Sequence, residues 1–452
     1  MENDLTENSN TAIQKFKENG VRLVACTLVD NAGVTRVKCV PIDRLASAAQ
    51  FGIGLSTVFA VFAVDDHITA SPGYDTPSGD MRLIPDLAAM VELSGAPGWA
   101  WAPVDQYDQD LNVMPICQRS LLKRLVDTAA AQGITFKTAF EIEFTLLTAN
   151  DEPVHDGPGY SPIALLPLEG FAVEVVTTLE EQGIQVAQFH PEYSMGQVEM
   201  SFGALGPVAA ADQHVLARTT IRRVAARHGF KTAFAPLVLE GAVGNGCHLH
   251  FSAWQAGQNL ITNGDGPEGL TPTGEALAAG VLTHLRDLVA VYAPSVLSYS
   301  RLLPDHWSGG FTCWGHENRE AAIRLIKGTA GSRDRAANME LKTIDHTANP
   351  YLAMAMLLGS ALDGLERGLN LPQPLQINPS SLSEAEREAN QVYRLPVDLG
   401  QAIDRLAQSD FARQTMGDAQ FEAFLASRQL EWDSYGQMDQ AQLTETLRWR
   451  YG

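Results

Sequence analysis

Carboxylates recur at strand spacing along this chain of 452 residues. FEIEFTLL sets Glu141 and Glu143 two apart among apolar neighbours, and HPEYSMGQVEM carries Glu192 and Glu199 around a glycine turn. NMELK places Glu340 between apolar residues, and GNGCHLHFS sets His248, His250 and Ser252 at the same two-residue period. In a strand those three share one face, while Cys247, Leu249 and Phe251 take the other. A lone E-x-E is most simply a solvated face. Five acids and an imidazole on separate segments are different, because like charges turned inward need a compensating cation. Hard oxygen ligands with one nitrogen suit Mg2+ or Mn2+ better than zinc.

Cations accompany the acids. RLLPDHW supplies Arg301, ENREAAIRL supplies Arg319 and Arg324, and MELK puts Lys342 on the face of Glu340. Cations mixed with metal carboxylates point to phosphates and a carboxylate substrate. The chain has no G-x-x-x-x-G-K-[ST] and no G-x-G-x-x-G after a strand, so any ATP is held without a P-loop.

These residues need strands to hold them. Runs at 21–30 and 35–43 flank NAG, a hairpin signal ending in Gly33. Residues 1–112 read as a small N-terminal α+β domain, and 113–452 as a larger second domain. The polar DQYDQDLN and Pro115 mark the boundary. Strands are expected at 135–147, 196–203, 232–240, 247–254, 321–328 and 338–345. Helices are expected to end at Gly133, Gly183 and Gly229. A further, nearly all-apolar helix has Asn349 as N-cap, Pro350 in its first turn and Gly368 at its end. The fold class is α+β, with one large sheet lining the site.

Bulk composition excludes more than it names. A net charge of −21 is a poor match for nucleic acid or an anionic membrane. Five scattered cysteines, never spaced C-x-x-C, argue against disulfides and for a reducing cytoplasm. The opening MENDLTENSN has no apolar core, and the densest apolar run, LSTVFAVFAV at 55–64, is too short to cross a bilayer. A soluble cytoplasmic protein is expected.

In order, E-I-E, H-P-E-Y-x2-G-Q-x-E, G-N-G-C-H-L-H-x-S, R-L-L-P, N-R-x4-R, M-E-L-K and A-N-P-Y-L-A-x-A resemble the glutamine synthetase superfamily over essentially the whole chain. The resemblance implies that His248, Glu141 and Glu340 hold one Mg2+ or Mn2+, and Glu143, Glu192 and Glu199 another. It implies that His250 and Ser252 face ATP, that Gly244 and Gly246 let backbone approach L-glutamate, and that Arg301 grips the substrate carboxylate. Arg319 and Arg324 would meet the phosphates, with Lys342 near the transferred group. It also implies a β-grasp-like N-terminal domain over 1–112 and a catalytic domain over 113–452, with a curved antiparallel sheet lining the site and flanked by helices. A homo-oligomeric ring, a dodecamer, with active sites between subunits is implied as well.

The sequence departs from that family where ammonium would bind. The flap reads RLLPDHWSGG, with Trp307 at the position of the family's acid, and the N-terminal loop reads FGIGLSTVFAVF without the family's aspartate. Val58, Phe59 and Phe62 of a neighbouring subunit, with Trp307 and Tyr160, would make an apolar amine pocket. Removal of the amine proton would fall to Glu192, then to Asp305 or His306. Lys342 and Asn338 replace arginines, and Ala187 an acid. VYRLP resembles the tyrosine loop adenylylated in some members, with Arg394 for the usual acid, although a plain loop at Tyr393 is the simpler reading. The expected activity is ATP-dependent ligation of L-glutamate to an alkyl- or arylamine through a γ-glutamyl phosphate. The alternatives are ammonium-using glutamine synthetase, a polyamine or ethanolamine ligase, and a non-catalytic member.

Overall fold

The hairpin around NAG forms: β1 (Leu23–Val29) and β2 (Thr35–Pro41) are antiparallel, with Val29 opposite Thr35. Gly33 turns the chain at φ +75°, where a Cβ would also overlap the Thr347 carbonyl. The computed structural model describes residues 11–451; the opening MENDLTENSN lies outside them. β3 (Ile53–Ser56), β4 (Asp80–Pro85), β5 (Val91–Glu92) and β6 (Trp99–Tyr107) complete a sheet in the order β2-β1-β6-β4-β3, with β5 on β6. The apolar run at 55–64 enters it as the end of β3 and a 3-10 turn over Thr57–Val61. Val58, Phe59 and Phe62 remain half-buried, and the Arg36 guanidinium lies over both phenyl rings.

The strand expected over 135–147 is two strands. β7 (Ile134–Phe140) and β8 (Ile142–Leu147) break at Glu141, and each joins a different sheet. β8 lies in a four-stranded sheet with β9 (Val186–Pro191), β10 (Gln197–Phe202) and β11 (Lys231–Ala233), ordered β11-β8-β10-β9. β7 pairs with β12 (Leu249–Gln255) in a sheet ordered β13-β12-β16-β15-β14. Its other strands are β13 (Gln258–Asn259), β14 (Trp314–His316), β15 (Ile323–Ile326) and β16 (Asn338–Leu341).

Several expected strands shorten. Only Thr232 and Ala233 of the 232–240 region are strand; Pro236 has no N–H to give a ladder. His248 and Lys342 lie just outside β12 and β16 rather than within them.

Helices expected before Gly133, Gly183 and Gly229 run Gln118–Ala131, Glu169–Glu181 and Pro207–Arg227, and all three glycines have positive φ. Helix Pro350–Arg367 starts on the Asn349 cap and is buried nearly all round. Gly364 on it and Gly280 on helix Pro272–His284 let the two backbones meet, since a Cβ on either would overlap the other helix. Each leucine so buried contributes about 1.5–3 kcal/mol. Residues 162–181 correct one sequence expectation: by length and composition this helical stretch could cross a membrane, although a third of it is buried in the fold. It packs inward through Phe171, Val175 and Leu179.

Candidate active site

Strand register brings the acids together. Glu143 on β8 lies opposite Glu199 on β10, which lies opposite His190 on β9. In the second sheet His250 lies opposite Glu340, and Glu340 opposite Arg324. Glu141, at the break between β7 and β8, joins the two rows. His248 Nδ1 sits 2.7 Å from Glu141, 3.4 Å from Glu340 and 3.6 Å from Glu143. Three sets of ligand atoms lie within 4.8 Å of one another: Glu141–Glu143–His248, Glu141–His250–Glu340 and His190–Glu192–Glu199. Glu141 and Glu340 are the two carboxylates nearest the His248 imidazole, with Glu143 a little farther. Glu143 sits with Glu141 and His248, His250 joins Glu340, and His190 stands beside Glu192 and Glu199. A fourth set, His214–Cys247–His346, is buried and lines neither hollow described below.

A cavity of about 540 Å³ takes in all six expected metal ligands, Gly244, Gly246 and the four expected cations, with Trp307 and Tyr160. His250 and Ser252 line a second hollow of about 420 Å³ that shares Glu141 and Gln188 with the first. Asn338 and Ala187 lie there too. Asn338 Oδ1 pairs with His250 Nδ1 at 2.9 Å, a contact that fixes that ring and that an arginine could not accept. Val58, Phe59 and Phe62 line neither hollow of their own chain.

The fold itself demands the two glycines. A Cβ on Gly246 would overlap the His248 ring, and one on Gly244 would overlap the Pro236 carbonyl and Arg301. Gly246 N–H also donates to Glu143 at 2.8 Å, as does Gln197 at 2.9 Å.

Crowding sets the charges. Burial first, then Glu141, Glu143 and Glu192, push the Glu199 carboxyl up to about 11. Burial likewise raises Glu143. Burial also acts against Glu340, yet Lys342 at 3.0 Å and the neighbouring histidines hold it at about 2. Against burial, hydrogen bonds from His248 and His250 keep Glu141 well below the carboxylate range. An acid row that must hold a proton when empty, beside ionised oxygens and an imidazole, fits a hard divalent ion.

A pH dependence follows. The folded Glu199 value lies above the ordinary glutamate value of 4.5, so its contribution to stability falls as pH rises from there towards about 11. Metal that pairs the carboxylate removes this penalty. The rise in melting temperature caused by Mn2+ should therefore be larger near pH 8.5 than near pH 6.5, read by thermal unfolding.

Arg301, Arg324 and Lys342 are already engaged. Arg324 bridges Glu340 at 3.1 Å and Glu317, while buried Arg301 donates to the Thr343 and Ile344 carbonyls at 2.7 and 3.0 Å. The Arg301 Nε is buried without a partner. Arg319 is exposed at the cavity edge. On the flap, Asp305 and Trp307 have φ of +63° and +51°, and the Trp307 N–H donates to Glu320 at 2.8 Å.

Three exposed aromatics stand over the acids. Trp307 meets Tyr193 edge to face at 5.3 Å, and Tyr160 stacks on His190 at 4.9 Å while its hydroxyl donates to Glu192. Sequence reading missed His190, Tyr193 and Gln197, although HPEYSMGQVEM contains all three. It also missed Glu320, in ENREAAIRL, whose signal was an acid entering an apolar strand.

The family model for the glutamine synthetase N-terminal domain matches residues 8–114, and that for the catalytic domain matches residues 115–446. The chain belongs to the glutamine synthetase family. It is 45% identical over 438 residues to the γ-glutamylpolyamine synthetase GlnA3 of Streptomyces coelicolor, covering 96% of this chain and 94% of that one. It is 29% identical to the glutamine synthetase of Methanocaldococcus jannaschii, over 95% of both chains. Among solved structures, a novel glutamine synthase homolog superposes with a TM-score of 0.86 at 32% identity, over 95% of this chain and 99% of the other. GmaS in complex with ADP superposes with a TM-score of 0.83 at 28% identity, over 96% and 98%. The glutamine synthetase fold and ATP-dependent ligation follow, and enzymes of this family use ATP and divalent metal.

Proposed function

We propose that the protein joins the γ-carboxylate of L-glutamate to an organic amine with ATP. The observation that carries this reading is the rim of Trp307, Tyr193 and Tyr160 over the carboxylate-lined cavity. In this reading Glu141, Glu143, Glu192, Glu199, His248 and Glu340 hold Mg2+ or Mn2+. When bound, the metal neutralises charge on the transferred phosphoryl group. Arg301 holds the glutamate carboxylate, Arg319, Arg324 and Lys342 the phosphates, and His250 and Ser252 the nucleotide.

The flap carrying Trp307 keeps water from a γ-glutamyl phosphate. Glu192 takes the amine proton. Burial opposes its ionisation, but hydrogen bonds from His190 and Tyr160 hold its carboxyl below the ordinary range, so it is charged as a base must be. Residues 1–112 serve as the N-terminal unit and 113–452 as the catalytic one. Val58, Phe59 and Phe62 of a neighbouring copy complete the pocket in a homo-oligomeric ring. Five free cysteines, with Cys39 exposed, suit a reducing cytoplasm.

By themselves the aromatic walls favour an uncharged alkyl or aryl group. A second reading, a diamine or polyamine, draws on the relative in Streptomyces coelicolor. It also draws on a hollow of about 550 Å³ next to Trp307, lined by Asp305, Glu317 and Glu320, that would receive a second ammonium. The test is phosphate release with ATP, Mg2+ and glutamate across ammonium, butylamine, putrescine, spermidine, ethanolamine and aniline. Organic amines should exceed ammonium at least about tenfold in kcat/KM, a difference of about 1.4 kcal/mol. Putrescine over butylamine, which share one stem, would establish the second reading. Ammonium above every organic amine would overturn both.

A further inference from the structure

The loop that carries Tyr393 takes no part in the cavity, yet it is tied to the flap. Thr312 N–H donates to the Tyr393 carbonyl at 2.8 Å, and Leu395 N–H to the Gly310 carbonyl at 3.1 Å. The Arg394 guanidinium donates to the carbonyls of Leu302 and Gly310. Arg394 therefore pins both ends of the segment that bears Trp307.

Arg394 also lines a hollow of about 360 Å³ with Arg286, Arg405, Gln401 and Asp404. Two of the three cations there are poorly matched. The Nε atoms of Arg286 and Arg405 are buried with no hydrogen-bond partner. Asp287 approaches Arg405 no closer than 3.7 Å, and Asp404 is the one acid among the lining residues. Burial, and then the charge of Arg405, lowers the Arg286 pKa, the signature of guanidinium groups crowded without enough acceptors.

We propose that this hollow binds a phosphate-bearing anion, whose contact with Arg394 steadies the flap over the amine pocket. Guanidinium forks match phosphate oxygens, and an anion would give the unpaired N–H groups acceptors while cancelling the mutual repulsion. No P-loop is involved; the site is built mainly of side chains from two distant stretches of chain. The binding site stands without the proposed function, whereas the effect on the flap rests on that reading.

The test titrates inorganic phosphate into the full-length protein with its nucleotide site filled by Mg2+ and ADP. Ionic strength is held constant with chloride, and binding is read by calorimetry. Saturable binding is expected in the wild type. The double variant Arg286→Gln, Arg405→Gln should bind at least about tenfold more weakly, from lost charge-assisted hydrogen bonds, with turnover in the absence of phosphate unchanged. Hydrogen exchange on the wild type gives a second measurement, with slower exchange expected at 393–397 and across 302–310. No saturable binding, or equal binding in the double variant with no slowing at 393–397, would overturn the site. Binding with slowing at 393–397 alone would overturn the link to the flap. Preference for ammonium in the amine panel would overturn the functional reading while leaving the site intact.

Discussion

Glu340→Ala should lower phosphate release by at least about a thousandfold and weaken Mn2+ binding by at least about tenfold. Glu340 is 2% exposed and accepts from both Arg324 and Lys342, so removing it leaves two cations in the cavity without their shared partner. Breaking a buried pair this way costs about 3–5 kcal/mol, and loss of fold could mimic loss of chemistry. Glu340→Gln separates the two, because it keeps shape and an accepting oxygen while removing charge. The Gln variant should melt close to wild type and remain inactive. Near-normal phosphate release by either variant would remove Glu340 from the metal site.

Trp307→Glu should cut kcat/KM for the preferred organic amine by roughly fiftyfold and raise the activity with ammonium. Trp307 is 44% exposed before substrate arrives, which leaves indole surface for an alkyl or aryl group to cover. Covering about 100 Å² at about 25 cal/mol per Å² contributes about 2.5 kcal/mol. The new carboxylate would stand beside Glu320, which already accepts the backbone N–H of residue 307, and two acids there would attract a small cation. Trp307→Phe keeps the apolar face and should lose less than tenfold. If the Glu and Phe variants lose the same activity with every amine, the side chain does not select the substrate.

The acids were legible because their spacing is local. A period of two in FEIEFTLL and GNGCHLHFS states which residues share a face, and the fold obeys it. The partners of each acid were not legible, because cross-strand register is settled by tertiary pairing. Nothing in the residues around Glu141 marks a break, yet that break lets one stretch of chain serve two sheets. It also puts Glu143 opposite Glu199 in one sheet and leaves Glu141 between the two sheets. His190 and Gln197 were overlooked for the same reason: each matters only once β9, β10 and the Gly246 approach lie side by side. Pro236 carried a readable warning, since proline gives no N–H to a strand ladder and often ends one. The helix ending at Gly183 was legible, but the length and apolarity of the whole stretch 162–181 were not, because polar residues interrupt each apolar run.

Every acid of the cavity lies on a strand or one residue from one, whereas Tyr160, Tyr193 and Trp307 lie on connecting segments. That division separates what the reaction requires from what the substrate requires. The rim can vary without disturbing the hydrogen-bonded ladders that fix the ligands. Tyr160 also holds Glu192, so a lineage selected for a new amine could change its substrate through Tyr193 and Trp307 and keep its chemistry, and laboratory evolution of this protein should accumulate its first adaptive changes at those two positions.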